Sequence, residues 1–406
     1  MQWLSRVMLK LLIENTLVKV VRMKEGYRFL GEYIRQVDIR NKEGKKENLL
    51  GVSVQKQFIQ SIANTVGTDF TKYKIVKKGQ FTYIPDTSRR GDKIAIALLE
   101  DYEEGLVSNV YTVFEVIDTE KLLPEYLMLW FSRPEFDRYA RFKSHGSVRE
   151  VMDWEEMCKV ELPVPDIEKQ REIVKAYKTI TDRIALKQKI NDNLEATSLT
   201  IFKEKVANNS EISTTISLNN ACVQITDGKH GDCESQDNSG YYFISVKDIS
   251  NGCIAYNNAR QITECDFIDA HKRTKLEAGD ILFTNSGTLG RMCLVPSNEF
   301  TDKTTFQKSV AILKPDKEKI SSTFLYLSLA YYKDKLIEFA HGSAQKNLLL
   351  SDMRNFEIKY PSQIIIKELD YLIQPIFTKI QQNNDEIVSL KILSKVLLAE
   401  IVASSR

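Results

Sequence analysis

Leu369, Ile373, Ile376, Ile380, Asn383, Ile387, Leu390, Ser394, Leu397 and Ile401 follow one another at steps of four and three without a break. That heptad spacing keeps one side of a helix facing a partner helix. Moving every position back by 196 residues gives Ile173, Tyr177, Ile180, Ile184, Lys187, Asn191, Leu194, Ser198, Ile201 and Lys205, a second and more polar seam. The chain contains its own partner helix.

The same offset holds upstream of both helices. His341-Gly342-Ser343 maps onto His145-Gly146-Ser147, Met353 onto Met157, Glu357 onto Glu161 and Pro361 onto Pro165. Each half therefore reads as a globular segment, a His-Gly-Ser turn, an extended exit with proline, and a long helix. A period of this size is a duplicated domain with its spacer, since solenoid repeats are far shorter. The boundaries that follow are a first domain at 1–165, a central helix at 166–208, a second domain at 209–361 and a C-terminal helix at 362–406.

Within the domains, Leu49 to Val54, Tyr73 to Val76, Gln80 to Ile84 and Val110 to Val116 read as strands from their β-branched and aromatic content. Pro124 to Phe142 reads as helices, with Pro134 opening the second. The second domain repeats the plan with strands at Tyr241 to Val246, Ile281 to Thr284 and Val310 to Leu313, the last closed by Pro315. Asn251-Gly252 signals a hairpin, and Thr323 to Ala340 is a helical pair. Strand-rich blocks capped by helices make the fold class α+β. Asp166 is placed to cap the first long helix, which runs from Ile167 to Val206. Pro375 implies a kink in the second, or a start near Gln374.

The chain has 406 residues, 43% of them hydrophobic, enough for two ordinary cores. Lys+Arg total 57 and Asp+Glu 55, a net charge of +2, so a nucleic-acid surface would have to be local. The cysteines (Cys158, Cys222, Cys233, Cys253, Cys265 and Cys293) form no C-x-x-C pair and have no zinc-type histidine spacing. They read as reduced thiols in a cytoplasmic protein. The apolar start, Met1 to Glu14, is interrupted by Arg6, Lys10 and Glu14 and reads neither as a signal peptide nor as a membrane span. It is a short docking helix or lies ahead of the true start, with Met8 and Met23 as possible initiators. No prolines are adjacent, which excludes the Pro-Pro step of adenine methyltransferases, and the sequence has no P-loop and no G-x-G-x-x-G after a strand. These absences describe a binding subunit that borrows its chemistry.

Two helices separated by a whole domain can pair parallel or antiparallel; the antiparallel form relates the two domains by an approximate two-fold axis. A helix from Leu369 to Ile401 spans about 50 Å, on the scale of the roughly 34 Å turn of duplex DNA. Asn383, Lys187 and Asn191 on the seams read as a register device.

The segments Val246-Lys247-Asp248-Ile249-Ser250-Asn251-Gly252, Gly279 to Arg291 and Gly342-Ser343-Ala344-Gln345-Lys346-Asn347-Leu348 resemble the target-recognition domains of Type I restriction-modification specificity subunits. Leu162 to Val174 is similar to the start of that family's central helix. The resemblance covers nearly the whole chain and implies a non-catalytic protein with one domain per half of a bipartite, asymmetric duplex DNA site. It further implies partner modification subunits, two in number, that use S-adenosylmethionine, and restriction subunits that use ATP and Mg. The chain itself would need no cofactor or metal.

In the second domain, Thr284-Asn285-Ser286 leaves a strand before Gly287, a position from which Asn285 could grip adenine and Arg291 guanine or a phosphate. A plain turn would explain Asn-Ser-Gly as well. Lys229, His230, Lys272 and Arg273 are candidate phosphate contacts, and Gln345 and Lys346 candidate base contacts. In the first domain the corresponding loop carries Ser88, Arg89, Arg90 and Lys93. Arg149 stands in the Ser147-Val148-Arg149-Glu150 run that replaces the sequence after Ser343, so contacts cannot be copied between domains. His145 and His341 fit a structural corner better than catalysis. The competing readings are a coiled-coil scaffold that binds protein without DNA specificity, and a self-contained nuclease.

Overall fold

The computed structural model describes residues 26–61, 67–87, 93–145, 150–342 and 346–403. The expectations for Met1 to Glu14 lie outside these residues. The chain forms two compact units, one of residues up to Ile184 together with Ser389 onward, the other Ala185–Val388.

In the first unit a four-stranded antiparallel sheet runs in the order Ile34–Val37, Thr112–Val116, Phe81–Tyr83, Ile96–Leu98. In the second the order is Cys222–Asp227, Val310–Pro315, Ile281–Thr284, Met292–Leu294. The sequence repeat is thus also a repeat of sheet topology. The match extends to the exit strands, where Tyr27–Phe29 pairs with Glu161–Pro163 and Thr215–Ser217 with Glu357–Lys359.

Each sheet is roofed by helix. Pro124–Phe131 and Pro134–Lys143 form two short helices in the first unit, whereas Ser322–Glu338 is a single helix, not the expected pair. The offset explains the difference: Ala330 occupies the repeat position of Pro134. Alanine continues the hydrogen-bond ladder that proline, lacking an N–H, must break. Beneath these helices, Phe81 stacks on Phe114 with ring centroids 4.9 Å apart, and Phe131 meets Phe114 edge-on. Phe283, Leu313 and Phe324 fill the same place in the second unit. The first-unit strand begins at Thr112, two residues later than expected, and leaves Val110 67% exposed in the preceding turn. Asn251 and Gly252 both take left-handed φ, 50° and 69°, and join Ile249–Ser250 to Cys253–Ile254 as the hairpin signal required.

The first long helix is Ile167–Phe202, continued by a π-helical turn at Lys203–Ala207. The Lys169 N–H donates to the Asp166 carboxylate at 2.9 Å, the anticipated cap. The second long helix is Gln363–Ala403, so it neither starts at Gln374 nor stops at Pro375. Pro375 leaves the carbonyl four residues back, at Tyr371, without its helical donor. Tyr371 is 82% exposed, so that end of the missing bond faces water and the helix tolerates it.

Along both helices every seam residue is buried or half-buried apart from Lys205. In the first unit Ile173 shares a core with Leu398 and Ile401. In the second, Phe202 and Val206 share one with Ile366, Leu369 and Ile373. Partner numbers fall as helix numbers rise, so the helices run antiparallel. Lys187 Nζ donates to Asn383 Oδ1 at 3.1 Å and pairs with Glu386 at 2.7 Å. Asn383 Nδ2 donates to Asn191 Oδ1, and Asn191 Nδ2 to Asn384 Oδ1, each at 2.8 Å. Lys187 and Asn383 are repeat mates, and in an antiparallel pair only residues near the midpoint can meet their own counterparts.

Asn383 is 1% exposed. Asn383→Leu removes a donor and an acceptor from this cluster and is expected to cost on the order of 1–3 kcal/mol, while loosening the register of the pair. A urea melt of the variant beside the native chain reads the first effect as a lowered midpoint; an unchanged midpoint would show that the cluster contributes nothing to pairing.

Candidate nucleic-acid interface

Because adjacent strands alternate in direction, the four-stranded sheet of the second unit presents four strand ends at one edge. Asp227 pairs with Ala311, Thr284 with Val310 and Phe283 with Met292. The loops that leave this edge are tied to one another by their backbones. Lys229 N–H donates to Phe306 O at 2.8 Å and Lys308 N–H to Lys229 O at 3.1 Å. Asn285 N–H donates to Ser309 O at 3.1 Å, and Leu348 N–H to Asn285 O at 2.8 Å. His341 and Asn347 exchange both backbone bonds, at 2.9 and 2.8 Å, closing the neck of the loop that holds Lys346. Gly228 admits this crowding: a Cβ there would lie 2.0 Å from the Phe306 carbonyl oxygen.

The first unit builds the same edge. His145 and Val151, the repeat mates of His341 and Asn347, exchange the same two bonds at 3.1 and 2.9 Å. Met152 N–H donates to Pro85 O and Thr87 N–H to Glu150 O, both at 3.0 Å. The segments carrying Ser88, Arg89, Arg90 and Arg149 therefore leave from neighbouring points, although those four residues and Gln345 lie outside the described ones. Lys93 is exposed where its segment rejoins the sheet. Both histidines serve backbone corners, and His341 Nε2 lies 3.1 Å from Asp352 Oδ2.

The side chains of the second-unit candidates divide into three kinds. Thr284 and Asn285 are buried and not at a loop tip. Thr284 Oγ1 accepts from the Arg291 N–H at 2.9 Å and donates to the Thr288 carbonyl at 2.5 Å, which holds the turn shut. Asn285 is 5% exposed and its Oδ1 is buried without a hydrogen bond, so it does not present an edge to solvent. Arg291 is half-buried and its Nη1 donates to the Val246 and Ile249 carbonyls at 3.1 and 3.2 Å, fastening one loop to another.

Lys229, His230 and Arg273 reach the edge with partners already in place. Lys229 lies 2.7 Å from Asp269 and 3.5 Å from Asp266; the Asp269 carboxylate raises the lysine above its ordinary range. Asp227 serves both Arg273, at 2.6 Å, and His230, at 3.0 Å. Lys272 and Lys346 are exposed and make no ion pair with the described residues. Ser286 is half-buried and bridges to Asn347. Sequence reasoning missed Lys308, which is exposed in the same turn as Gln307 and Ser309 and whose ammonium makes no ion pair with the described residues. A lone lysine between strands carries no signal until the Lys229 backbone is seen to bind its N–H.

Chemically, each edge offers several short loops, cations and amides over a rigid sheet. Cations at such an edge can neutralise phosphates, and loops can differ without disturbing the strands. Among the described residues, no helix is long and apolar enough to cross a membrane.

The chain is 25% identical over 309 residues to the Type I restriction enzyme MjaIX specificity subunit of Methanocaldococcus jannaschii, spanning 71% of this chain and 70% of that protein. It is 27% identical over 168 residues to the Type I restriction enzyme EcoBI specificity subunit of Escherichia coli, 40% of this chain and 34% of that one. The crystal structure of a Type I restriction-modification system S subunit from M. genitalium superposes with a TM-score of 0.54 at 13% identity, over 94% of this chain and 97% of that one, so the fold is shared. The profile of the Type I restriction modification DNA specificity domain matches twice, at residues 21–196 and 226–389, well over half of the sequence, and the chain belongs to that family.

Proposed function

We propose that this chain is the DNA-recognition subunit of a cytoplasmic Type I restriction-modification complex. Each unit reads one half of a bipartite duplex target through its loop edge. The observation that carries this reading is the building of one loop edge twice, with the same His-Gly-Ser neck and different loop sequences. Two edges of one design predict two half-sites; different loops predict that the halves differ. The long helices dock two modification subunits and, with them, the restriction subunits. Methyl transfer from S-adenosylmethionine and ATP- and Mg-dependent cleavage belong to those partners, and this chain contributes binding and placement.

Methylome sequencing of cells expressing this chain with its modification subunit, beside cells lacking only this chain, tests the proposal. Methylated adenines should appear with the chain alone as the variable, within a motif of two short halves at constant spacing. No new methylation from an assembled complex would overturn the reading and favour a protein-binding scaffold.

A further inference from the structure

In the second unit, beside the turn that joins Thr284 to Met292, a cavity of about 370 Å³ lies among three elements. These are the last turns of the first long helix, the helix Ser322–Glu338 and the hairpin turn at Asn251-Gly252. Its polar groups are unusual. Tyr326 is only 8% exposed, yet its hydroxyl makes no hydrogen bond with the described residues. The Glu195 carboxylate, which also lines the cavity, makes no hydrogen bond or ion pair with them either. Both oxygens open onto the cavity without a donor from the described residues, so a donor that enters it can meet them.

The two oxygens converge. A Cβ built on Gly252 would stand 3.1 Å from Glu195 Oε1 and 3.6 Å from the Tyr326 hydroxyl, so a single donor group could reach both. Glycine at this left-handed position keeps that spot open. Part of the remaining wall is apolar: Leu199, Leu327, Met292 and the ring of Phe377, which meets Tyr326 edge-on at 5.4 Å. Asp192 adds a second carboxylate and Lys333 a single ammonium, which leaves the lining with formal negative charge.

From this geometry we infer that the cavity binds an alkylammonium group, its charge on Glu195, an N–H on the Tyr326 hydroxyl and its methylene stem against Leu199, Leu327 and Met292. A free diamine and the lysine side chain of a docked subunit offer the same chemistry. Calorimetric titration of the full chain with 1,5-diaminopentane at pH 7.5 tests the assignment. One saturable site is expected, weakened roughly tenfold or more in Glu195→Gln by loss of the charge-assisted bond, and by a smaller factor in Tyr326→Phe. Burial pushes the Glu195 carboxyl up, so its ionised form costs stability that is recovered as the pH falls through its range. Glu195→Gln should therefore melt no lower than the native chain at pH 7.5, which separates a binding defect from a folding defect.

The same titration on the complex with modification subunits distinguishes the two sources. Binding abolished by assembly assigns the site to a partner's lysine, and binding retained assigns it to a free amine. No saturable binding by the native chain, or equal affinity in Glu195→Gln, overturns the proposal. Either result leaves DNA recognition untouched, because methylation is read separately.

Discussion

Asp280→Ala is expected to destabilise the second unit by about 3–5 kcal/mol, the range for removing one partner of a buried ion pair. Asp280 is 4% exposed and Lys314 8%, and their charged atoms lie 2.6 Å apart. Asp280 Oδ2 also accepts the Glu277 N–H at 2.7 Å, so the substitution opens a turn as well. Burial holds the Asp280 carboxyl above its ordinary range even with an ammonium beside it. The loss comes chiefly from the ammonium left behind. Glu277 stands 3.4 Å from Lys314 but is largely exposed, so it can recover part of the deficit and hold the cost toward the lower end. Asp280→Ala with Lys314→Met should melt well above the single variant in guanidinium. If the double variant is no more stable than the single one, an orphaned charge is not the cause.

Replacing Lys272, Lys308 and Lys346 together with alanine is expected to weaken specific DNA binding by the assembled complex roughly 10- to 100-fold at moderate salt. The slope of log affinity against log salt should shrink by roughly 2–3, about 0.9 for each phosphate no longer neutralised. The effect should be uniform across target sequences, since phosphate contacts carry no base information. Lys229→Ala and Arg273→Ala provide the contrast. Their charges are met by Asp269, Asp266 and Asp227, so each should alter stability more than salt dependence. Fluorescence anisotropy across a salt series measures both. An unchanged slope in the triple variant would move the DNA surface away from this edge.

The long helices were legible in sequence because burial along a helix depends on spacing, and spacing is written in the order of residues. Ile373, Ile380, Asn383 and Ile387 needed no knowledge of their partners to be placed. The offset of 196 residues carried the rest of the architecture, down to the bridges at His145 and His341. The loop edge was harder, since what a polar side chain does there depends on which segments lie beside it. Asn285 looked exposed because Asn-Ser-Gly signals a turn. Ser309 and Leu348, both distant in sequence, cover its backbone, and its side chain is buried. Lys229 looked available because nothing nearby in sequence announces Asp266 and Asp269. Pro375 looked like a boundary because propensity alone does not say which face of a helix meets water.

The division into units sets an order of events during synthesis. The second unit is one unbroken stretch, Ala185–Val388, and can close as soon as that stretch has left the ribosome. The first unit cannot, although most of its residues emerge earlier: its core includes Leu398 and Ile401, which follow the whole second unit in the chain. Until they arrive, Ile173 and Tyr177 lack the far side of their core. The half made first is finished last, and a chain cut short after Val388 would lose part of its first unit while keeping its second whole.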